Sequence, residues 1–153
     1  MLCGETVTIG KLPPAHTDGD SYIYFSNADV LHVGDVFRTV GYPGVDGGNG
    51  GTVKGTIDAL QAIVDMAGPN TKIIPGHGVV STREDVAAFR TNTIEAQRRF
   101  TELIRQGMTV EQVVAANPTA DLATKFATSG PPPDEAATQR FITGFYNALK
   151  SEL

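Results

Sequence analysis

The sequence predicts an α/β fold in which one small mixed sheet is covered by helices. Three short stretches of strand-forming residues lie within the first 33 positions, and apolar residues at helical spacing begin at Val53. A further short apolar stretch at 72–75 separates two helical segments. The length of 153 residues fits one domain. We therefore expect a single domain over 1–153, with the sheet in 1–80 and a mainly helical part in 81–153.

The predicted strands are short and end at turn signals. Pro13 and Pro14 end the first strand, and Asn27 with Asp29 makes the turn between the second and the third. The four strands span residues 6–12, 21–25, 30–33 and 72–75. The second and third strands are apolar on both faces, which indicates a sheet covered on both sides. Local helices can cover one face, and the other needs more helices or a second sheet.

The predicted helices are marked by caps and stop signals. Thr52 caps the first helix, whose apolar spacing runs to Ala67 before Gly68-Pro69. Ser81 or Thr82 caps a long second helix that Gly107 ends. The pair Thr109 and Gln112 forms the capping box of a short helix that stops at Asn117-Pro118, and a final helix after three prolines carries Ala137, Phe141, Phe145 and Leu149.

The composition of the chain excludes some classes of binding partner and of metal site. The net charge is −5 and the pI is about 5.1, and without basic clusters the sequence gives no footprint for nucleic acid or an anionic membrane. Cys3 is the single cysteine, so neither an internal disulfide nor a thiolate metal cluster can form. We expect a soluble chain that acts on a small molecule. Its first residues lack the features of an export signal, and its compartment stays unknown.

Three segments, around His16, Asp35 and His77, each follow or end a short apolar stretch and contain glycine. His16 opens the loop before the second strand, and imidazole is a common zinc ligand, although a lone loop histidine is more often simply solvated. Asp35 follows the third strand, where it is either a metal ligand or a turn residue that bonds its own backbone. His77 lies between two glycines, which allow a tight turn and leave room for a ligand. His32, inside a strand, is interpreted as structural.

Two neighbouring features bear on this candidate metal site. Asp20 either orients His16 by contacting it without binding the metal, or is a turn residue. Asp18 is more typical of a turn. The glycine-rich segment 44–55 lacks the Gly-Lys-Ser/Thr ending of a phosphate loop, since Lys54 is followed by Gly55. We predict that it is a flexible loop that leads into the first helix, at the rim of the site.

Together, His16, Asp35 and His77 resemble the metallo-β-lactamase-fold hydrolase superfamily, through the segments 15–20, 34–37 and 75–78. The resemblance runs from about Thr6 to Phe89. It implies an αββα sandwich that binds one or two zinc ions, with His16 on the first metal, Asp35 bridging both and His77 on the second. It also implies that metal-bound water attacks an ester, thioester or amide-like bond.

The superfamily's first motif, His-x-His-x-Asp-His, is absent, and no histidine precedes His16. The chain is therefore similar to the second half of that sandwich alone, as either a truncated product or an isolated half-domain, with an incomplete metal site and weak expected affinity. Self-association, as a homodimer, would cover the open sheet face. Three functions stay open: a hydrolase active in reduced form or as an assembly, a metal-binding or self-associating half-domain without turnover, and an inert folded remnant.

Overall fold

A four-stranded sheet forms the first half of the chain in the computed structural model, which describes residues 4–153. Cys3 and the start of the chain, to which the expectation about an export signal refers, lie outside the described residues. The strand order is β1-β2-β3-β4, with antiparallel β1–β2 and β2–β3 pairs and a parallel β3–β4 pair. The strands are β1 (Val7–Lys11), β2 (Ser21–Phe25), β3 (Val30–His32) and β4 (Lys72–Ile74). The predicted small mixed sheet is confirmed.

The five α-helices of the described chain are α1 (Val53–Met66), α2 (Arg83–Arg105), α3 (Val110–Ala116), α4 (Ala123–Phe126) and α5 (Glu135–Glu152). Thr52 accepts a hydrogen bond from the Gly55 N–H at the start of α1, and Thr82 and Thr109 form capping boxes at α2 and α3. These caps confirm the predicted helix starts. The sequence reasoning missed α4 and the 3-10 turn at Ala120–Leu122 before it, which are both short.

One face of the sheet belongs to the hydrophobic core. Leu31 and Ile73 are Cα partners across β3 and β4, and both side chains are fully buried with apolar residues of α1 and α2. An aromatic cluster extends this core toward α5, where Phe100 packs against Phe141 and Phe145. The helices thus cover this face, as the sequence predicts. Each helix of residues 4–153 is too short or too polar to cross a membrane.

The opposite face of the sheet is also apolar. Strand pairing places Ile9, Ile23, His32 and Ile74 in one row across all four strands, and alternation of the pleat turns this row away from Leu31 and Ile73. Ile9 is 71% exposed. A second row on this face consists of Val7, Phe25, Val30 and Lys72. The sheet therefore presents an outer face whose apolar side chains do not join the helical core.

Candidate functional site

Asp35 and His77 come together at the end of the parallel strand pair. Asp35 lies in the 3-10 turn Gly34–Val36 directly after β3, and His77 follows β4. Because parallel neighbours end at the same sheet edge, the two side chains converge there. The His77 Nε2 lies 3.0 Å from the Asp35 Oδ1. The Gly76 N–H donates to the carbonyls of Gly34 and Phe37, at 2.7 and 3.1 Å, and joins the two turns.

The Asp35 Oδ1 is a buried oxygen without a hydrogen-bond partner among the described residues, although the carboxylate as a whole is 40% exposed. It is close to the His77 Nε2, but the two atoms do not form a hydrogen bond. Gly76 completes this cradle, because a Cβ at that position would collide with the Asp35 Oδ1. A buried polar atom left without a partner in such a place needs water or an ion. A carboxylate oxygen and an imidazole nitrogen are zinc ligands, and two ligands of one tetrahedral zinc are about 3.3 Å apart.

His16 is held by its backbone and by one ring nitrogen. The Asp20 carboxylate accepts hydrogen bonds from the N–H groups of Ala15, His16 and Thr17, at 3.2, 2.6 and 3.2 Å. The His16 Nδ1 lies 3.2 Å from the Gly44 carbonyl oxygen. A carbonyl only accepts, so this contact places the ring proton on Nδ1 and leaves Nε2 with a free lone pair. Asp20 thus fixes the backbone of His16, while Gly44 orients its ring.

The structure does not gather all three predicted ligands. Within residues 4–153, no group of three histidine, cysteine, aspartate or glutamate side chains is close enough to share a metal ion. Arg38 separates His16 from the other two, because its Nη2 lies 3.7 Å from the Asp35 Oδ1. A Cβ on Gly44 would lie 3.2 Å from that Nη2 and 2.9 Å from the His16 Nδ1. The residues therefore fit part of a zinc site: Asp35 with His77 as one pair, and His16 apart.

Arg38 is the site residue that sequence reasoning missed. It lies three positions after Asp35, on the same side of a tight turn, and its guanidinium partly balances the carboxylate. The available signal was the spacing of a basic residue after a candidate ligand. That spacing is too common in sequences to identify a site by itself.

The glycine-rich segment is a hydrogen-bonded turn, where the sequence predicts a flexible loop. The Asp46 N–H donates to the His16 carbonyl at 2.9 Å, and the Asp46 side chain caps the 3-10 turn Gly47–Asn49. The Asn49 side-chain hydrogen bond is the main cause of the lowered pKa of Asp46. A Cβ at Gly51 would collide with the His16 carbonyl. Glycine there allows the loop to pack directly against the His16 segment, at the predicted rim.

Comparison with known proteins shows similarity at the level of the fold. The chain is similar to VMB-1, a metallo-β-lactamase, with a TM-score of 0.51 and 17% identity over 60% of this chain and 42% of VMB-1. It is also similar to a double mutant of the sec-alkyl sulfatase PisA1, with a TM-score of 0.63 and 16% identity over 98% of this chain and 24% of that protein. No protein-family model and no curated protein sequence matches the chain.

These matches define the class of fold. The chain spans less than half the length of either protein, and its four-stranded sheet with helices corresponds to half of a metallo-β-lactamase-type sandwich. The fold class predicted from the sequence is confirmed. At 16–17% identity the likeness extends to the fold alone, and it does not assign the activity of either neighbour to this chain.

Proposed function

We propose that this chain carries metal ligands of a zinc-dependent hydrolase of the metallo-β-lactamase superfamily. The observation that supports it best is the Asp35 Oδ1, buried and without a hydrogen-bond partner in the described chain, 3.0 Å from the His77 Nε2. In the proposal, Asp35 and His77 would hold the second zinc ion, and Asp35 would also be a ligand of the first. His16 would hold that first ion, with its Nε2 as the donor.

The residues of the chain have different roles around such a site. Bound zinc supplies an activated water and polarises the bond to be cleaved, here of an ester, thioester or amide-like substrate. Asp20 and Gly44 hold His16 in the tautomer that leaves Nε2 free. A catalytic zinc usually has three protein ligands, so Asp35 and His77 alone bind weakly until a third ligand joins them.

Zinc titration of the purified chain tests the metal site. His77→Ala should weaken zinc binding at least tenfold, because it removes one of two close ligands. His32→Asn is the matched control: His32 accepts a hydrogen bond from the Gly34 N–H through Nδ1, and asparagine offers an oxygen at a similar position. Calorimetry and native mass spectrometry would report affinity and stoichiometry. Equal zinc binding by His77→Ala and the unaltered chain would refute the assignment.

A screen with ester, thioester and β-lactam substrates separates a hydrolase from a metal-binding half-domain without turnover. Zinc-dependent hydrolysis that His77→Ala abolishes supports the enzyme. Stoichiometric zinc binding without hydrolysis supports the non-catalytic alternative. A folded chain that neither binds zinc nor hydrolyses a substrate would be the inert remnant.

We also propose self-association as a homodimer through the outer sheet face, where Ile9 is exposed and the rest of its row is only partly buried. Two sheets pack about 10 Å apart in sandwiches, and a two-fold axis would match this apolar face to itself. Ile9→Asp should convert a dimer to a monomer in sedimentation experiments. Ile94→Asp, on α2, is the control because Ile94 is also exposed. A monomeric unaltered chain at micromolar concentration contradicts the proposal.

A further inference from the structure

A cavity of about 380 Å³ lies beside His16, between the segment 40–46 and helix α5. Its volume is in the range of small-molecule sites. One wall is aromatic: the ring of Tyr42 stacks on Phe141 with centroids 4.1 Å apart, and Phe145 lies 5.2 Å beyond. This wall offers a flat apolar surface that is already fixed by packing against the core.

Two guanidinium groups also line the cavity, and both are poorly neutralised. Arg38 contacts Asp35 only at 3.7 Å, and its Nε is buried without a hydrogen-bond partner among the described residues. Arg140 extends from α5 and, in the described chain, has no carboxylate within 4.0 Å. Of the described residues that line the cavity, Asp46 is the one acidic residue, and hydrogen bonds from Asn49 at 2.8 and 3.2 Å occupy its carboxylate.

The charge of this cavity contrasts with that of the whole molecule. The chain carries a net charge of −5, yet two arginines and one aspartate of the described residues line the cavity beside His16. Guanidinium groups bind carboxylate, sulfate and phosphate oxygens through paired N–H donors. A cavity lined by two such groups attracts an anion that the rest of a negatively charged surface would repel.

We infer that this cavity binds a small organic anion, with the anionic head on Arg38 and Arg140 and an apolar body against Tyr42 and Phe141. The binding stands on the cavity alone, whereas the identification of this anion as the substrate class rests on the proposed function. Arg38 connects the two sites, because the same guanidinium lies in the cavity wall and 3.7 Å from Asp35. An anion on Arg38 is thereby brought next to the candidate metal ligands.

Titration of the full chain with hexyl sulfate, hexanoate and 1-hexanol tests the inference. These probes share one apolar chain and differ in the head group, and amide chemical shifts would locate each one. The protein is kept in chelator, so the result does not depend on metal. We expect both anions to shift the amide signals of residues 40–46 and α5 and to bind at least fivefold more tightly than 1-hexanol. Added salt should weaken the binding of both anions. The tighter of the two anions identifies the preferred head.

Arg140→Gln provides the decisive variant, because Arg140 is exposed on a helix and its replacement spares the core. It should weaken both anions at least fivefold and leave 1-hexanol unchanged. Arg105→Gln, an exposed arginine on α2 outside the cavity, should leave all three affinities unchanged. The inference is overturned if 1-hexanol binds as tightly as the anions, if the shifts fall outside the cavity, or if Arg140→Gln has no effect.

The same experiment separates this inference from the proposed function. If the unaltered chain bound the anions at the cavity but did not bind zinc, the proposed metal site would be refuted and the anion site would be supported. If the chain bound zinc in a way that depends on His77 but did not bind the anions, the metal site would be supported and the anion site would be refuted.

Discussion

The carboxylate of Glu152, at the end of α5, caps the N-terminus of α1 at Val53. Its Oε1 accepts a hydrogen bond from the Val53 N–H at 2.6 Å, and its Oε2 accepts one from the Lys54 N–H at 3.0 Å. The first N–H groups of a helix have no partner within it, and a negative charge is favourable at that end. The contact ties α5, which lines the cavity, to α1, which begins where the glycine-rich segment beside His16 ends.

Glu152→Ala should lower the free energy of unfolding by about 0.5–2 kcal/mol, the usual cost of a lost helix cap. Urea denaturation followed by circular dichroism would measure the change. Glu102→Ala on α2 is the control, because its ion contact with Arg98 is long, at 3.7 Å, and both side chains are exposed. Equal losses in the two variants would show that the cap contributes no more than an ordinary surface pair.

Asp20→Ala should destabilise the fold by at least about 2 kcal/mol, because hydrogen bonds to a charged group are worth about 1.5–3 kcal/mol and three N–H donors lose their acceptor. It should also weaken zinc binding about tenfold or more, since the backbone of His16 is no longer fixed. Asp18→Ala is the matched control, because that side chain is exposed. Unchanged zinc affinity in a folded Asp20→Ala protein would contradict a positioning role.

Local signals in the sequence were sufficient for most of the fold. Thr52, Thr82 and Thr109 cap the helices that they were expected to cap, because capping depends on residues three positions apart. The sheet was predictable for the same reason, since short apolar stretches bounded by turn residues leave few alternatives. The short helix α4 was not, because four residues carry no periodicity.

The site was only partly predictable, because its geometry depends on tertiary contacts. That Asp35 and His77 meet follows from the parallel pairing of β3 and β4, which places the ends of both strands together. The position of Arg38 between Asp35 and His16 does not follow from spacing, since it depends on how Gly44 packs against both His16 and Arg38. The packing of Gly51 on the His16 carbonyl could not be predicted from composition either, because a glycine-rich segment indicates a flexible loop.

Glu95 gives the fold a dependence on acid. Arg98 first, and then Arg99, donates hydrogen bonds to its carboxylate and lowers its pKa from 4.5 to about 2. A pKa lowered in the folded state stabilises the fold above the unfolded value of 4.5, and the stabilisation is lost as the pH falls toward 2. Glu95→Gln should therefore destabilise the protein at pH 6 and have a smaller effect at pH 3, as thermal melts would show.

Glu102→Gln serves as the control for that pH series, because it removes an exposed carboxylate from the same helix at a longer distance from Arg98. High salt should reduce the effect of Glu95→Gln at pH 6, since the ion pairs are near the surface. An identical pH dependence in the two variants would show that the arginine contacts of Glu95 do not cause it.

Phe100→Ala should cost about 3–5 kcal/mol of unfolding free energy, because a fully buried ring is replaced by a cavity. The ring of Phe100 lies 5.0 Å from that of Phe145 and 6.1 Å from that of Phe141. Its loss therefore loosens α5 against α2. Ile94→Ala, at an exposed position on the same helix, should cost less than about 1 kcal/mol. Similar urea midpoints for the two variants would contradict the assignment of Phe100 to the core.

Gly76→Ala tests the metal site without removing a ligand. The added Cβ would collide with the Asp35 Oδ1 and lie 2.8 Å from the Gly34 carbonyl carbon, so the carboxylate must move away from His77. Zinc affinity should fall at least tenfold, because ligand geometry is lost while both ligands remain. Gly144→Ala, with open space around the new Cβ in α5, should leave zinc affinity unchanged and raise stability by about 0.5–1 kcal/mol. If Gly76→Ala bound zinc as tightly as Gly144→Ala, the Asp35–His77 pair would not be the metal-binding element, since only the first variant displaces Asp35 and the Gly34 backbone beside it.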